Sequence, residues 1–212
     1  MSACIAPVYG LILAGGRSSR MRADKAALHY RGEPQLDRAF ALLERHLSPV
    51  FVSVRAVQAA DRTRACRPQI VDSVSLATDV SNAGPIVGIR SALAAFPAVA
   101  WLVVACDLPF LSDTALTQLL TSRDPSRLAT AFRSVHDGLP EPLCAIWEPA
   151  AAAVLSAHQR AGKSCPRKFL IDHPVKLLEP ADRRALDNIN TPEEYAEAQQ
   201  ALASPAAENA CN

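Results

Sequence analysis

From Leu13 to Lys25 the chain reads Leu-Ala-Gly-Gly-Arg-Ser-Ser-Arg-Met-Arg-Ala-Asp-Lys. The paired glycines Gly15 and Gly16 let a backbone approach a phosphate closely and turn its N–H groups toward it. Arg17, Arg20 and Lys25 add cationic donors to the same stretch. That combination suits the binding of a polyphosphate. It is not a Walker A loop, because no Gly-Lys-Ser/Thr follows, and it is not G-x-G-x-x-G. The same residues would also suit a glycine turn running into a solvated basic helix.

A carboxylate, Asp107, directly follows the most apolar run of the chain, Trp101 to Cys106. A charge there is costly unless it is paired, hydrated or on a metal, although a strand-end Asp is also a common turn or cap former. Asp72 follows Ile70-Val71 in the same way and is open to the bland reading of an Asx turn. Gly84-Pro85 with Gly88 reads as a helix start packed closely on a strand. The five histidines have no ligand spacing and receive no role. The six cysteines are scattered without a C-x-x-C pair, which is neither a zinc pattern nor a disulfide framework. They read as reduced thiols of a cytoplasmic protein.

The elements that must position these residues alternate. Apolar, strand-like runs cover Val8 to Ala14, Val50 to Val54, Ile70-Val71, Trp101 to Cys106, Leu128 to Phe132, Leu143 to Trp147 and Val175 to Leu178. Helical spacing marks Leu36, Phe40, Leu43 and Leu47, then Pro85 to about Phe96, and Ser112-Asp113 can cap a helix running to about Thr121. Helices are also expected from Pro149 to Gln159, from about Cys165 to Ile171, and after Thr191, with Glu193-Glu194 in the first turn. This alternation predicts an α/β fold of Rossmann-like, three-layer type: a mostly parallel sheet with helices on both faces. Ligands bind such sheets at the carboxyl ends of the strands. Gly15-Gly16, Ser53, Asp72 and Asp107 fall there.

Composition narrows the function. Half of the 212 residues are apolar and the net charge is +1. The chain can therefore bury a core, and it has no electrostatic footprint for a nucleic-acid polymer or an anionic membrane. No apolar run reaches the ~20 residues of a membrane helix, and the N-terminus lacks a secretory pattern. A small ligand is expected.

The loop L-A-G-G-x-S-x-R-M, followed by an acidic residue and lysine, resembles the signature of sugar-phosphate and cofactor nucleotidyltransferases. Within them it is most similar to the molybdenum cofactor guanylyltransferases, which usually read LAGG where cytidylyltransferase relatives read LAAG. Asp72-Ser73, Gly84-Pro85-Ile86-Val87-Gly88, Cys106-Asp107-Leu108-Pro109, Pro142 to Trp147 and Asn188-Ile189-Asn190-Thr191-Pro192 follow in family order. The resemblance covers roughly residues 8 to 200. It implies one transferase domain over 1–203, with 204–212 a fraying tail.

The resemblance also implies the partners and the site. GTP and molybdopterin are the substrates, with GMP transferred, pyrophosphate released and Mg²⁺ held by Asp107. Arg20 and Lys25 would act on the leaving pyrophosphate. Leu13, Ala14, Gly15, Gly16, Ser53, Asp72 and Gly84 would line the nucleotide. Asn188 and Asn190 would serve the acceptor or metal side, and Arg167-Lys168 would either face the anionic acceptor or be a solvated helix face. Three positions depart from the family: Arg22 replaces a glycine, Ser53 a longer amide, and Glu141 a Gln or His on the pterin side, where an acid would repel an anionic phosphate. Rival readings are a CTP-using relative, another nucleotidyltransferase with a phosphorylated acceptor, or a nucleotide-binding protein without catalysis.

Overall fold

The structure is a computed structural model, and it describes residues 5–15, 24–73 and 84–203. Its strands are β1 (Val8–Leu13), β2 (His29–Tyr30), β3 (Glu33–Pro34), β4 (Val50–Val54), β5 (Gln69–Val71), β6 (Ala100–Ala105), β7 (Ala129–Arg133), β8 (Pro140–Trp147) and β9 (Lys176–Leu178). Its helices are α1 (Gln35–Glu44), α2 (Arg62–Ala65), α3 (Pro85–Ala95), α4 (Asp113–Thr121), α5 (Ala151–Arg160), α6 (Pro166–Asp172) and α7 (Pro192–Ala203).

Seven strands form one sheet in the order β5-β4-β1-β6-β8-β7-β9. The pairs β5/β4, β4/β1, β1/β6 and β7/β9 are parallel, whereas β8 runs antiparallel to both its neighbours. The sheet is therefore mostly parallel, as the alternation predicts. The reversed direction of β8 is a feature the strand pattern does not carry.

Successive side chains of a strand point to opposite faces. In β6, Leu102 and Val104 join Ile12, Val52, α1 (Leu36, Phe40, Leu43) and α4 (Leu116, Leu119) on one face. Trp101 and Val103 join Leu11, α3 (Ile86, Ile89, Leu93), α5 (Leu155) and α6 (Phe169) on the other. Both faces are dry, so β6 must be apolar throughout, and each fully buried side chain of this size contributes about 1.5–3 kcal/mol. Three layers result.

Caps end the helices where the sequence places them. Ser112 Oγ accepts the Ala115 N–H at 3.4 Å. Thr191 and Glu194 form a reciprocal box: Glu194 N–H donates to Thr191 Oγ1 at 3.2 Å, and Glu194 Oε2 accepts from the N–H groups of Asn190 (2.6 Å) and Thr191 (3.2 Å).

A small hairpin, β2/β3, turns through Arg31 and Gly32 at φ 52 and 83, as a two-residue turn of this hand requires. Helix α7 clasps it: Tyr195 Oη and Gln199 Nε2 both donate to the His29 carbonyl, and Tyr30 packs edge-on against Tyr195. This clasp brings the segment after Lys25 against the segment before α7. No helix among the described residues is long and apolar enough to cross a membrane.

Candidate active site

The carboxyl ends of β5, β4, β1 and β6 lie side by side, so Asp72, Ser53, Gly15 and Asp107 fall in one row along the sheet edge. At the first end of the row, Ser53 Oγ donates to Asp72 Oδ1 at 2.6 Å. Ser53 is 1 % exposed, so its hydroxyl orients Asp72 instead of facing outward. That narrows the expectation that Ser53 itself reaches a base. Burial raises the Asp72 carboxyl above its ordinary range, while the Ser53 hydrogen bond and the Arg55 charge oppose the rise.

Helix α3 starts at Gly84 and brings Gly88 down onto this pair. A Cβ on Gly88 would sit 2.4 Å from Ser53 Oγ and 2.9 Å from Leu13 Cδ2. A Cβ on Gly15 would meet Asp72 Oδ2 at 3.3 Å and the Arg55 nitrogen at 3.5 Å. Close approach therefore requires the glycine at 88, whereas a Cβ at 15 would only crowd the Asp72 carboxylate. Gly88→Ala is expected to push Ser53 off Asp72, lowering stability by about 1–3 kcal/mol and raising the Michaelis constant for nucleotide. Adding Ser53→Ala removes the clashing oxygen and should recover part of the melting temperature. Equal melting temperatures for wild type and the single variant would show that the contact is not restrictive.

At the other end of the row, after the central strand of the sheet, stands Asp107. Lys25 Nζ donates to Asp107 Oδ2 at 2.8 Å and to Asn190 Oδ1 at 2.7 Å. The side chains of Lys25 and Asp107 are 18 % and 19 % exposed, open enough to meet a ligand and sheltered enough for the charges to count. The backbone holds the trio in place. Ile189 N–H donates to the Asp107 carbonyl at 3.0 Å, and Cys106 N–H to the Leu13 carbonyl at 3.2 Å. The neighbouring Cys106 thiol is pushed up to about 12 by burial and then by the Asp107 charge, so it remains a neutral filler.

Because β8 is antiparallel, its first residues, not its last, reach this edge. Glu141 thus lies beyond Asp107, beside a cavity of about 220 Å³ lined by Asp107, His136, Asp137, Glu141, Arg167 and Asn188, among others. Arg167 donates to Glu141 Oε1 at 2.8 Å and to Asp137 Oδ2 at 2.9 Å. One guanidinium on α6 thus faces two carboxylates, and it offsets the repulsion expected of Glu141 only in part. Arg167 lines this cavity.

The structure brings Leu13, Ala14, Gly15, Lys25, Ser53, Asp72, Gly84, Asp107, Asn188 and Asn190 to one edge. Gly16 and Arg20, together with Arg17, Arg22 and the tail 204–212, lie outside the described residues. Two participants escape the sequence reading. Asp24 Oδ1 accepts the Ala26 N–H at 3.1 Å and caps the short turn Lys25–Ala27 that aims Lys25. Buried Arg64 holds Asp24 through two hydrogen bonds. Burial works to raise the Asp24 carboxyl, but the hydrogen bonds and charge of Arg64 hold it below the usual range. An arginine in the polar stretch around α2 gives no signal of burial, and only the Asp-Lys pair could have hinted at the cap.

Among the described residues no three His, Cys, Asp or Glu side chains gather into a metal cage. One central carboxylate flanked by an asparagine amide is the donor set of a hard cation that takes its other ligands from phosphates and water. The residues fit a divalent ion of that kind, with Asp107 and the amide of Asn190 the groups within reach.

A profile described as "MobA-like NTP transferase domain" matches residues 10–182. A molybdenum cofactor biosynthesis bifunctional protein of Synechocystis sp. is 34% identical over 189 residues, 89% of this chain but only 53% of that protein, so the chain spans about half its length. A molybdenum cofactor guanylyltransferase of Rhizobium leguminosarum bv. trifolii is 32% identical over 92% of this chain and 93% of its own. A crystal structure of molybdopterin-guanine dinucleotide biosynthesis protein A from Archaeoglobus fulgidus superposes with a TM-score of 0.74 at 21% identity, covering 91% of this chain and 97% of that one.

Proposed function

Since the chain belongs to the family of MobA-like NTP transferase domains, we propose that it transfers GMP from GTP to the phosphate of molybdopterin, releasing pyrophosphate. The observation that carries this reading is the row along the sheet edge. A close-packed cradle at Gly15, Asp72 and Gly88 and a cavity with Arg167 lie on opposite sides of the Lys25–Asp107–Asn190 trio. Two polyanions seated on the two sides meet at Asp107, as in-line transfer of a phosphoryl group requires. The guanine preference is supported by the molybdenum cofactor guanylyltransferases to which the chain is similar.

In this reaction the chain positions and neutralises, and it forms no covalent intermediate. Gly15 gives the nucleotide a close approach without a side chain, while Leu13 and Ala14, whose backbone groups bond within the fold, shape the edge beneath it; Asp72, fixed by Ser53, accepts hydrogen bonds from base or ribose. Lys25 carries its ammonium to the phosphates, where charge builds up on the leaving pyrophosphate, and Arg20 adds a second cation from the same loop. Asp107 would hold Mg²⁺, which supplies Lewis-acid polarisation of the α-phosphate when bound. Asn190 orients Lys25, and Arg167 is a cation that the cavity beside Asn188 offers to the anionic acceptor. Glu141 and Asp137 both hold Arg167, so the acceptor's anion competes with two carboxylates for one guanidinium.

The test is a competition in which GTP and CTP are offered together with Mg²⁺ and molybdopterin, following incorporation of each. GTP is expected to win. A missing base hydrogen bond at Ser53 costs about 0.5–1.5 kcal/mol, tenfold at most, against the ~10⁴ that a hydrogen-bonding base site can reach. CTP incorporation equal to or above GTP would replace the guanylyl reading with a cytidylyl one. No incorporation of either would leave nucleotide binding alone.

A further inference from the structure

The guanidinium of Arg64 is buried, with its side chain 1 % exposed, yet no ligand-facing role accounts for it. Its Nε and Nη2 donate to the carbonyl of Ala14 at 3.2 and 3.0 Å. Its Nη1 and Nη2 donate to the two carboxylate oxygens of Asp24 at 2.7 and 2.8 Å. Ala14 immediately precedes the glycine pair, and Asp24 immediately precedes Lys25. One planar fork therefore joins the two ends of the loop. Resting on the nucleotidyl-transfer reading above, we propose that Arg64 is a positioning residue: a clip behind the phosphate loop that fixes its two ends and, through Asp24, the turn that aims Lys25.

The surroundings favour a clip over a plain core residue. Helix α2 is itself anchored, since Asp61 caps it through the Thr63 N–H at 2.8 Å and Gln69 Nε2 donates to the Arg64 carbonyl at 2.9 Å. Arg64 thus reaches the loop from a fixed base. A buried ion pair is often no more stable than apolar side chains of similar volume, so stability alone gives weak grounds for a cation here. A planar fork does what apolar packing cannot. It fixes the direction of a carbonyl and a carboxylate together, and so preorganises the loop before the phosphate charge arrives.

The experiment uses Arg64→Lys, which keeps the charge but not the fork, and Asp24→Asn, which keeps one acceptor oxygen while Asp61 Oδ1, 3.4 Å from Arg64 Nη1, still balances the buried guanidinium. Melting temperature, kcat, the Michaelis constants for nucleotide and for acceptor, and calorimetric binding of inorganic triphosphate are measured for each. The expected result is a selective loss: Arg64→Lys binds triphosphate and nucleotide at least tenfold more weakly and Asp24→Asn several-fold more weakly. The acceptor constant stays within twofold for both, and the double variant falls close to the worse single one. A role confined to packing predicts a lower melting temperature with unchanged nucleotide and triphosphate affinity, and that result overturns the clip. Should Arg64→Lys not fold, Asp24→Asn decides by the same readouts. Use of CTP in place of GTP by the wild type would change the base reading but leave the triphosphate comparison intact. A wild type that binds no triphosphate would overturn the clip with the loop.

Discussion

Asp107→Ala is expected to leave a folded protein with kcat lowered by about 10³-fold or more, the effect of several kcal/mol of lost transition-state stabilisation. The carboxylate closes a strand that is buried on both faces, at the middle of the ligand edge, and no second carboxylate stands within the trio to replace it. The fold should survive, because what pins this corner is backbone. The Asp107 carbonyl, which the substitution keeps, accepts the Ile189 N–H. The lost pair with Lys25 is partly solvated and is worth about 1 kcal/mol, a shift of roughly 2–4 °C in melting temperature for a chain of this size. Asp107→Asn separates charge from shape. It can still accept from Lys25 but offers a poor ligand to a hard cation, so it should be nearly as inactive. Near-wild-type kcat in either variant, with Mg²⁺ present, would remove Asp107 from the chemistry.

The row that ends at Asp107 was partly legible in the sequence. Gly15, Ser53, Asp72 and Asp107 each follow an apolar run, and the rule that parallel sheets bind ligands at carboxyl ends selects them. The rule fails at Glu141, and the reason is physical. A half-buried antiparallel strand and a buried parallel one can both read as apolar runs, so nothing in Leu143 to Trp147 shows that β8 enters the sheet from the site side. The residue of β8 that reaches the ligand edge precedes the run. The hairpin β2/β3 was hidden because two residues per strand leave no period to read. Arg64 was hidden because its burial depends on Ala14 and Asp24, 50 and 40 residues away in sequence. Local pattern reports which residues face a core, whereas pairing between distant polar groups is settled only by topology.

Lys25→Ala is expected to lower kcat/KM for nucleotide by about 10²-fold or more, the usual cost of removing one preorganised charge donor. The geometry argues for a loss of this size. The ammonium is already aimed by the Asp24-capped turn on one side and by Asn190, at the start of the clasped helix α7, on the other. Little reorganisation remains when phosphate arrives. Lys25→Arg should not rescue the activity, because a planar fork cannot occupy the place of a compact ammonium lying 2.8 and 2.7 Å from two acceptors. Lys25 and Asp107 touch, so their effects should not add. The double variant Lys25→Ala/Asp107→Ala is expected to be little worse than Asp107→Ala alone, as groups that act as a unit behave. If instead the two losses multiply in steady-state assays with the preferred nucleotide, the lysine and the carboxylate serve separate steps, and the trio is only a resting contact.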